Sequence, residues 1–166
     1  MKAPQIFLSY ADEDAFEASL LQSSVETLLN DLKVRVWTYK RDQAGDERNI
    51  GRGLRERIRE SSAVIMLISQ FTLASGATQW MELACADAFD VPTFVLLHHV
   101  TFDTIKHSEK GVPPLLLQRQ CTLAVDWQQL EPDLRRCCGV NTESHDSDRA
   151  VSGTQTGSAP EDGSQS

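Results

Sequence analysis

The sequence predicts an α/β protein: a five-stranded parallel sheet with helices on both faces. Three observations carry that expectation. Strand-like and helix-like patterns alternate five times along the chain. The run Ala63 to Ile68 and the run Thr93 to Leu97 are apolar or nearly so, as strands covered on both faces are. The stretches between strands place apolar residues close to a 3.6-residue period.

Taken in order, Ile6, Phe7 and Leu8 form a short buried strand. Asp12 is placed to cap a helix whose stripe is Phe16, Leu20, Leu21, Val25, Leu28, Leu29 and Leu32. Val34 to Trp37 is the second strand. A polar loop containing Gly45 follows, then a helix with Ile50, Leu54 and Ile58 at four-residue spacing. Ala63 to Ile68 is the third strand. A helix around Met81 to Phe89 leads to the fourth, Thr93 to Leu97. Leu123 to Val125 is the expected fifth, followed by a short helix from Trp127 to Arg136. Right-handed crossovers place the C-terminal ends of such strands on one rim, where open α/β sheets bind ligands. That rim carries Ser9 and Tyr10, residues 38–50, residues 69–80 and the loop after His98.

The chain's 166 residues suit one domain. The expected organisation is a domain over residues 1–138 and a disordered acidic tail over 139–166. The tail has no Leu, Ile, Met or aromatic residue and carries five acids against one arginine. It holds too little apolar surface to offset its ordering entropy. A net charge of −8 argues against a nucleic-acid or anionic-membrane partner. No apolar run approaches the ~20 residues that cross a bilayer, and no signal peptide is read at the N-terminus. A cytoplasmic protein is expected.

Cys85, Cys121, Cys137 and Cys138 show no C-x-x-C spacing and no histidines at zinc-ligand intervals, so no metal is expected. Cys85 and Cys121 read as small buried hydrophobes, and Cys137 and Cys138 as free thiols at a domain end. His98 and His99 read as rim residues. Gly45, Gly51 and Gly53 fit neither nucleotide-binding glycine pattern.

Three segments then carry a resemblance. Ile6-Phe7-Leu8-Ser9-Tyr10 followed by Asp12-Glu13-Asp14 resembles the opening box of Toll/interleukin-1 receptor (TIR) domains. Trp37 to Asp46, with Asp42 and Gly45, looks like the family's BB loop. Ser75 to Leu83 is similar to the box that ends in Glu-Leu at a helix start. Order and spacing match over about 130 residues, with one departure. Where the family often has Trp, four residues before the glutamate, this chain has Thr78, and Trp80 stands two residues before Glu82.

The resemblance implies a three-layer flavodoxin-like TIR fold and, for many bacterial members, cleavage of NAD⁺ between nicotinamide and ribose. It makes Glu82 the catalytic candidate. Phe7, Ser9, Tyr10, Arg41, Asp42, Gly45 and Trp80 become candidates for holding the nucleotide. Nicotinamide leaves a cationic nitrogen as a neutral molecule, so no general acid is needed. Positive charge develops on the ribose, where a carboxylate stabilises it. NAD⁺ is then substrate and no cofactor is expected. Further implications are self-association through TIR–TIR contacts, a downstream effector that senses the nucleotide product, and a role in anti-phage defence. Each candidate also has an ordinary reading. Acids are favoured in a helix's first turn. Phe7 fits a core, and most of the arginines from Arg48 to Arg59 fit a solvated helix face, given the interleaved Glu47, Glu56 and Glu60. The same fold also serves as a non-enzymatic TIR–TIR interaction module.

Overall fold

The structure is a computed structural model that describes residues 2–39, 50–108 and 111–139, the first two residues of the second stretch as backbone. Five parallel strands run in the order β2-β1-β3-β4-β5. They are β1 (Gln5–Ser9), β2 (Arg35–Trp37), β3 (Ala63–Ile68), β4 (Thr93–Leu97) and β5 (Cys121–Leu123). The longer helices are α1 (Ala15–Leu28), α2 (Ile50–Arg59), α4 (Ala77–Ala88) and α7 (Glu131–Gly139). Shorter ones are α3 (Gln70–Ser75), α5 (Phe102–Lys106) and α6 (Pro114–Leu117).

Every residue of β1 and β3 is buried, which requires helices on both faces. Because successive strand side chains alternate in direction, the two faces build separate cores. Ile6, Leu8, Ile65 and Leu67 pack with Val25 and Leu29 of the α1 side and with Leu134 of α7. Phe7, Val64, Met66 and Ile68 pack on the opposite face with Ile58 of α2 and Leu83 of α4. Polar ties fix the edges. Gln22 Nε2 donates to the Val36 carbonyl at 2.7 Å, and the Val36 amide donates to Glu26 Oε1 at 2.8 Å, joining α1 to β2. Gln5 Nε2 donates to Ser61 Oγ at 3.0 Å beneath α2.

Several expectations shift. Asp12 does not cap the first helix: residues Asp12–Asp14 form a 3-10 turn and α1 begins at Ala15, with Asp14 at its cap position. The buried face of α1 is then Ala18, Leu21, Gln22 and Val25. Phe16 and Leu20, two positions out of phase with it, are 71% and 54% exposed. The fifth strand lies two residues earlier than expected, and Ala124–Leu130 is a 3-10 segment leading into α7. Cys85 and Cys121 are half-buried, whereas Cys138 faces the core. Burial pushes the Cys138 thiol up to about 11, so it is a packing residue and not a reactive one. None of the described helices is long and apolar enough to cross a membrane.

Candidate active site

Ser9 is the last residue of the interior strand β1, which lies between β2 and β3, at the C-terminal rim. The chain leaves β3 through Ser69, whose hydroxyl accepts from the Phe71 amide at 3.1 Å. In return the Ser69 amide donates to Thr72 Oγ1 at 3.1 Å, a capping box that starts α3. Gly76 then separates α3 from α4. A Cβ there would lie 2.4 Å from the Thr72 carbonyl oxygen, so only glycine permits this close turn. The turn aims the first two turns of α4 at the end of β1.

On that face of α4 the buried residues are Gln79, Glu82 and Leu83. Glu82, 6% exposed, accepts a hydrogen bond from the Ser9 hydroxyl through Oε2. Burial pushes its carboxyl up to about 7, and the Ser9 bond pulls only weakly the other way. Gln79 donates through Nε2 to the Leu67 carbonyl at 3.1 Å, and its Oε1 is buried with no partner among the described residues.

Ser9, Gln79 and Glu82 line a cavity of about 420 Å³ together with Phe7, Tyr10, Tyr39 and Thr78. Among the described residues its lining carries three carboxyl groups, Asp12, Glu13 and Glu82, and no lysine or arginine. A second groove of about 530 Å³ lies between α2 and α4 and has the opposite character. Arg52, Arg55 and Arg59 line it, with one further acid, Glu56, and with Met81, Phe89 and again Glu82. Glu82 therefore stands where an acidic cavity and an arginine-lined groove meet.

Of the residues expected from sequence, Phe7, Ser9, Tyr10 and Glu82 come together in one cavity. Phe7 is also core: it stacks on Trp37 with ring centroids 5.2 Å apart. Trp80 is absent from the cavity lining and packs, partly buried, against the core on the α4 side, while Thr78 lines the cavity. Arg41, Asp42 and Gly45 lie outside the described residues. Gln79 was not anticipated, because a glutamine inside a helix gives no sequence signal. Its register three residues before Glu82 was the only clue. Arg52, Arg55 and Arg59 are exposed, as the solvated-face reading expects, and from that face they also line the groove beside Glu82.

Comparison with known proteins agrees with this architecture. Residues 7–86 match the model of the TIR-like domain of the Thoeris protein ThsB. A 2-desoxiribosyltransferase from Leishmania mexicana is similar in structure, with a TM-score of 0.54 and 14% identity. That match covers 75% of this chain and 96% of the other. The TIR domains in the structure of the activated Roq1 resistosome directly recognizing the pathogen effector XopQ align with a TM-score of 0.51 and 17% identity. They cover 79% of this chain and 72% of theirs. No curated protein matches in sequence. At these identities the structural likenesses concern the fold alone. Over residues 7–86 the chain is similar to that TIR-like domain, and its fold is a flavodoxin-like, five-stranded parallel sheet.

Proposed function

We propose that this TIR-like domain cleaves NAD⁺ at the nicotinamide–ribose bond, with Glu82 as the catalytic carboxylate. The observation that carries the proposal is the change of charge across Glu82. NAD⁺ has a cationic nicotinamide–ribose half and an anionic pyrophosphate. The cavity with Asp12, Glu13 and Glu82 suits the first, and the groove with Arg52, Arg55 and Arg59 suits the second. A nucleotide laid across both puts its ribose at the junction, beside Glu82.

The chemistry follows from that placement. A cationic ring next to Glu82 favours the ionised carboxylate, which burial otherwise disfavours. The carboxylate accepts hydrogen bonds from the ribose hydroxyls and stabilises the positive charge that grows as the C–N bond breaks. Ser9, already bonded to Oε2, holds the carboxylate in position. Tyr10 and Tyr39 supply faces for a planar ring, above a floor formed by the buried edge of Phe7. Water captures the ribosyl cation to give hydrolysis, or the substrate's own adenine captures it to give a cyclic product. Arg41, Asp42 and Gly45 belong to the proposed nucleotide-binding set through the TIR resemblance, and Trp80 supports α4 from the core side.

Self-association through TIR–TIR contacts belongs to the same reading. Phe16, Met81 and Val125 are large apolar side chains left exposed, and they offer surface for it. The wider role is anti-phage defence, by NAD⁺ depletion or by a nucleotide product sensed by a separate effector. The test is nicotinamide release from NAD⁺ across a range of protein concentrations. Release per chain should rise with concentration and fall by at least about a hundredfold in Glu82→Ala. Equal release from that variant, or none from the wild type at any concentration, sinks the proposal and leaves the interaction module as the function.

A further inference from the structure

A second cluster sits on the same rim, away from the cavity of Glu82. Asp14, Glu17 and His98 each direct one potential ligand atom to a common point, all three atoms lying within 4.8 Å of one another. Asp14 and Glu17 stand one turn apart at the start of α1, and His98 follows the end of β4. None of the three lines the cavity of Glu82.

Asp14 makes the cluster unusual, being 2% exposed. Among the described residues, its carboxylate is partnered only by the Ser69 hydroxyl, which donates to Oδ2 at 2.5 Å. No lysine or arginine among them pairs with Asp14 or Glu17. A desolvated carboxylate without a cation is costly. The weak pairing of His98 Nε2 with Glu17 Oε1, at 3.9 Å, does not reach it. A divalent cation among the three would neutralise both carboxylates at once. Metal–ligand bonds of about 2.0–2.2 Å bring ligand atoms to roughly 3–4 Å from one another, a small adjustment from the present spacing.

The scaffold is already fixed. The Asp14 amide donates to the Ala11 carbonyl at 2.9 Å, and the His98 amide donates to the Ile68 carbonyl at 2.8 Å. His99 adopts φ 54°, which turns the chain immediately beyond His98. The Ser69 hydroxyl orients the Asp14 carboxylate as outer partners of metal ligands do. Glu17 and His98 also line a separate groove of about 210 Å³, so an ion here is reachable from solvent.

We propose that Asp14, Glu17 and His98 form a binding site for one divalent first-row transition metal, tying the start of α1 to the end of β4. One imidazole and two carboxylates suit Zn²⁺ or Mn²⁺ better than Ca²⁺ or Mg²⁺, which favour all-oxygen sites. The spacing of histidines and cysteines did not suggest this site, because its ligands come from opposite halves of the sequence.

The test uses the full chain stripped of metal with a chelator. Calorimetric titration with Zn²⁺, and Co²⁺ titration followed by its visible absorption, should both give one equivalent per chain. The bound form should melt at a higher temperature. Glu17→Gln and His98→Asn, both at partly exposed positions, should weaken binding at least tenfold while leaving the metal-free melting temperature unchanged. A Cys137→Ser, Cys138→Ser double variant should bind as the wild type does. No saturable binding up to about 1 mM overturns the proposal. So does binding that Glu17→Gln and His98→Asn leave intact, or that the cysteine double variant abolishes.

Discussion

Glu82 carries a proton to a higher pH in the folded chain than in the unfolded one, because burial penalises its charge. The sign of the consequence follows. Between 4.5 and about 7 the unfolded chain releases this proton and the folded chain keeps it, so stability falls as pH rises through that window. At about 1.4 kcal/mol for each pH unit, the penalty reaches about 3 kcal/mol above pH 7. Glu82→Gln keeps the acceptor for Ser9 and removes the ionisation. Urea titrations should therefore show the variant gaining on the wild type by about 3 kcal/mol between pH 4.5 and 8. Parallel profiles for the two proteins would contradict the burial account. If the chain cleaves NAD⁺ as proposed, kcat/KM should rise with pH to a plateau as Glu82 ionises, with an apparent pKa near 7. A flat profile from pH 5 to 9 would remove Glu82 from that role. At this scale the sequence was legible where a motif existed, as for Ser9 and Glu82. It was silent on Gln79, and it gave Asp14 only as one of three acids after the first strand, because the burial of both depends on residues distant in the chain.

At the scale of elements, the hinge between α3 and α4 decides where Glu82 points. Gly76 has an ordinary φ of −77°, so its requirement is space and not backbone freedom. The Thr72 carbonyl and methyl, 2.4 and 2.9 Å from a would-be Cβ, belong to the preceding helix and a fully buried residue. Gly76→Ala should force the two helices apart, lowering stability by about 1–3 kcal/mol. The urea midpoint measures this, and an unchanged midpoint would show that the turn relaxes freely. The same segment shows why parts of the fold were not read from sequence. Helices of four to six residues, such as α3, α5 and α6, span too few turns to display a period. The face of α1 was misjudged because the 3-10 turn at Asp12–Asp14 delays the helix and sets its phase. Phe16 and Leu20 fit an apolar stripe of nearly helical spacing, yet both face solvent. The long apolar strands β3 and β4, by contrast, start and end at the residues that the pattern indicates.

For the molecule as a whole, α7 closes the structure. Leu130, Leu134 and Cys138 enter the same core as Ile6, Val25 and Ile65. Each buried leucine is worth about 2–5 kcal/mol, and a domain of this size has only about 5–15 kcal/mol in total. A chain ended after Gly139 should melt as the full chain does, whereas one ended after Gln129 should not fold cooperatively. Circular dichroism on heating separates the two. A higher melting temperature for the full chain than for the one ended at Gly139 would show that residues 140–166 contribute to the domain.

The position of β1 in the sheet also governs how the protein is made. Of the five strands of the sheet, β1 is synthesised before the others, and it is an interior strand between β2 and β3. Its partners start at Arg35 and Ala63, so β1 emerges with both hydrogen-bonding edges open and waits for most of β3 before it is enclosed. At about 5–20 residues per second that interval lasts several seconds, with Ile6, Phe7 and Leu8 bare to water. The strand that places Ser9 against Glu82 is thus the one most in need of a chaperone during synthesis.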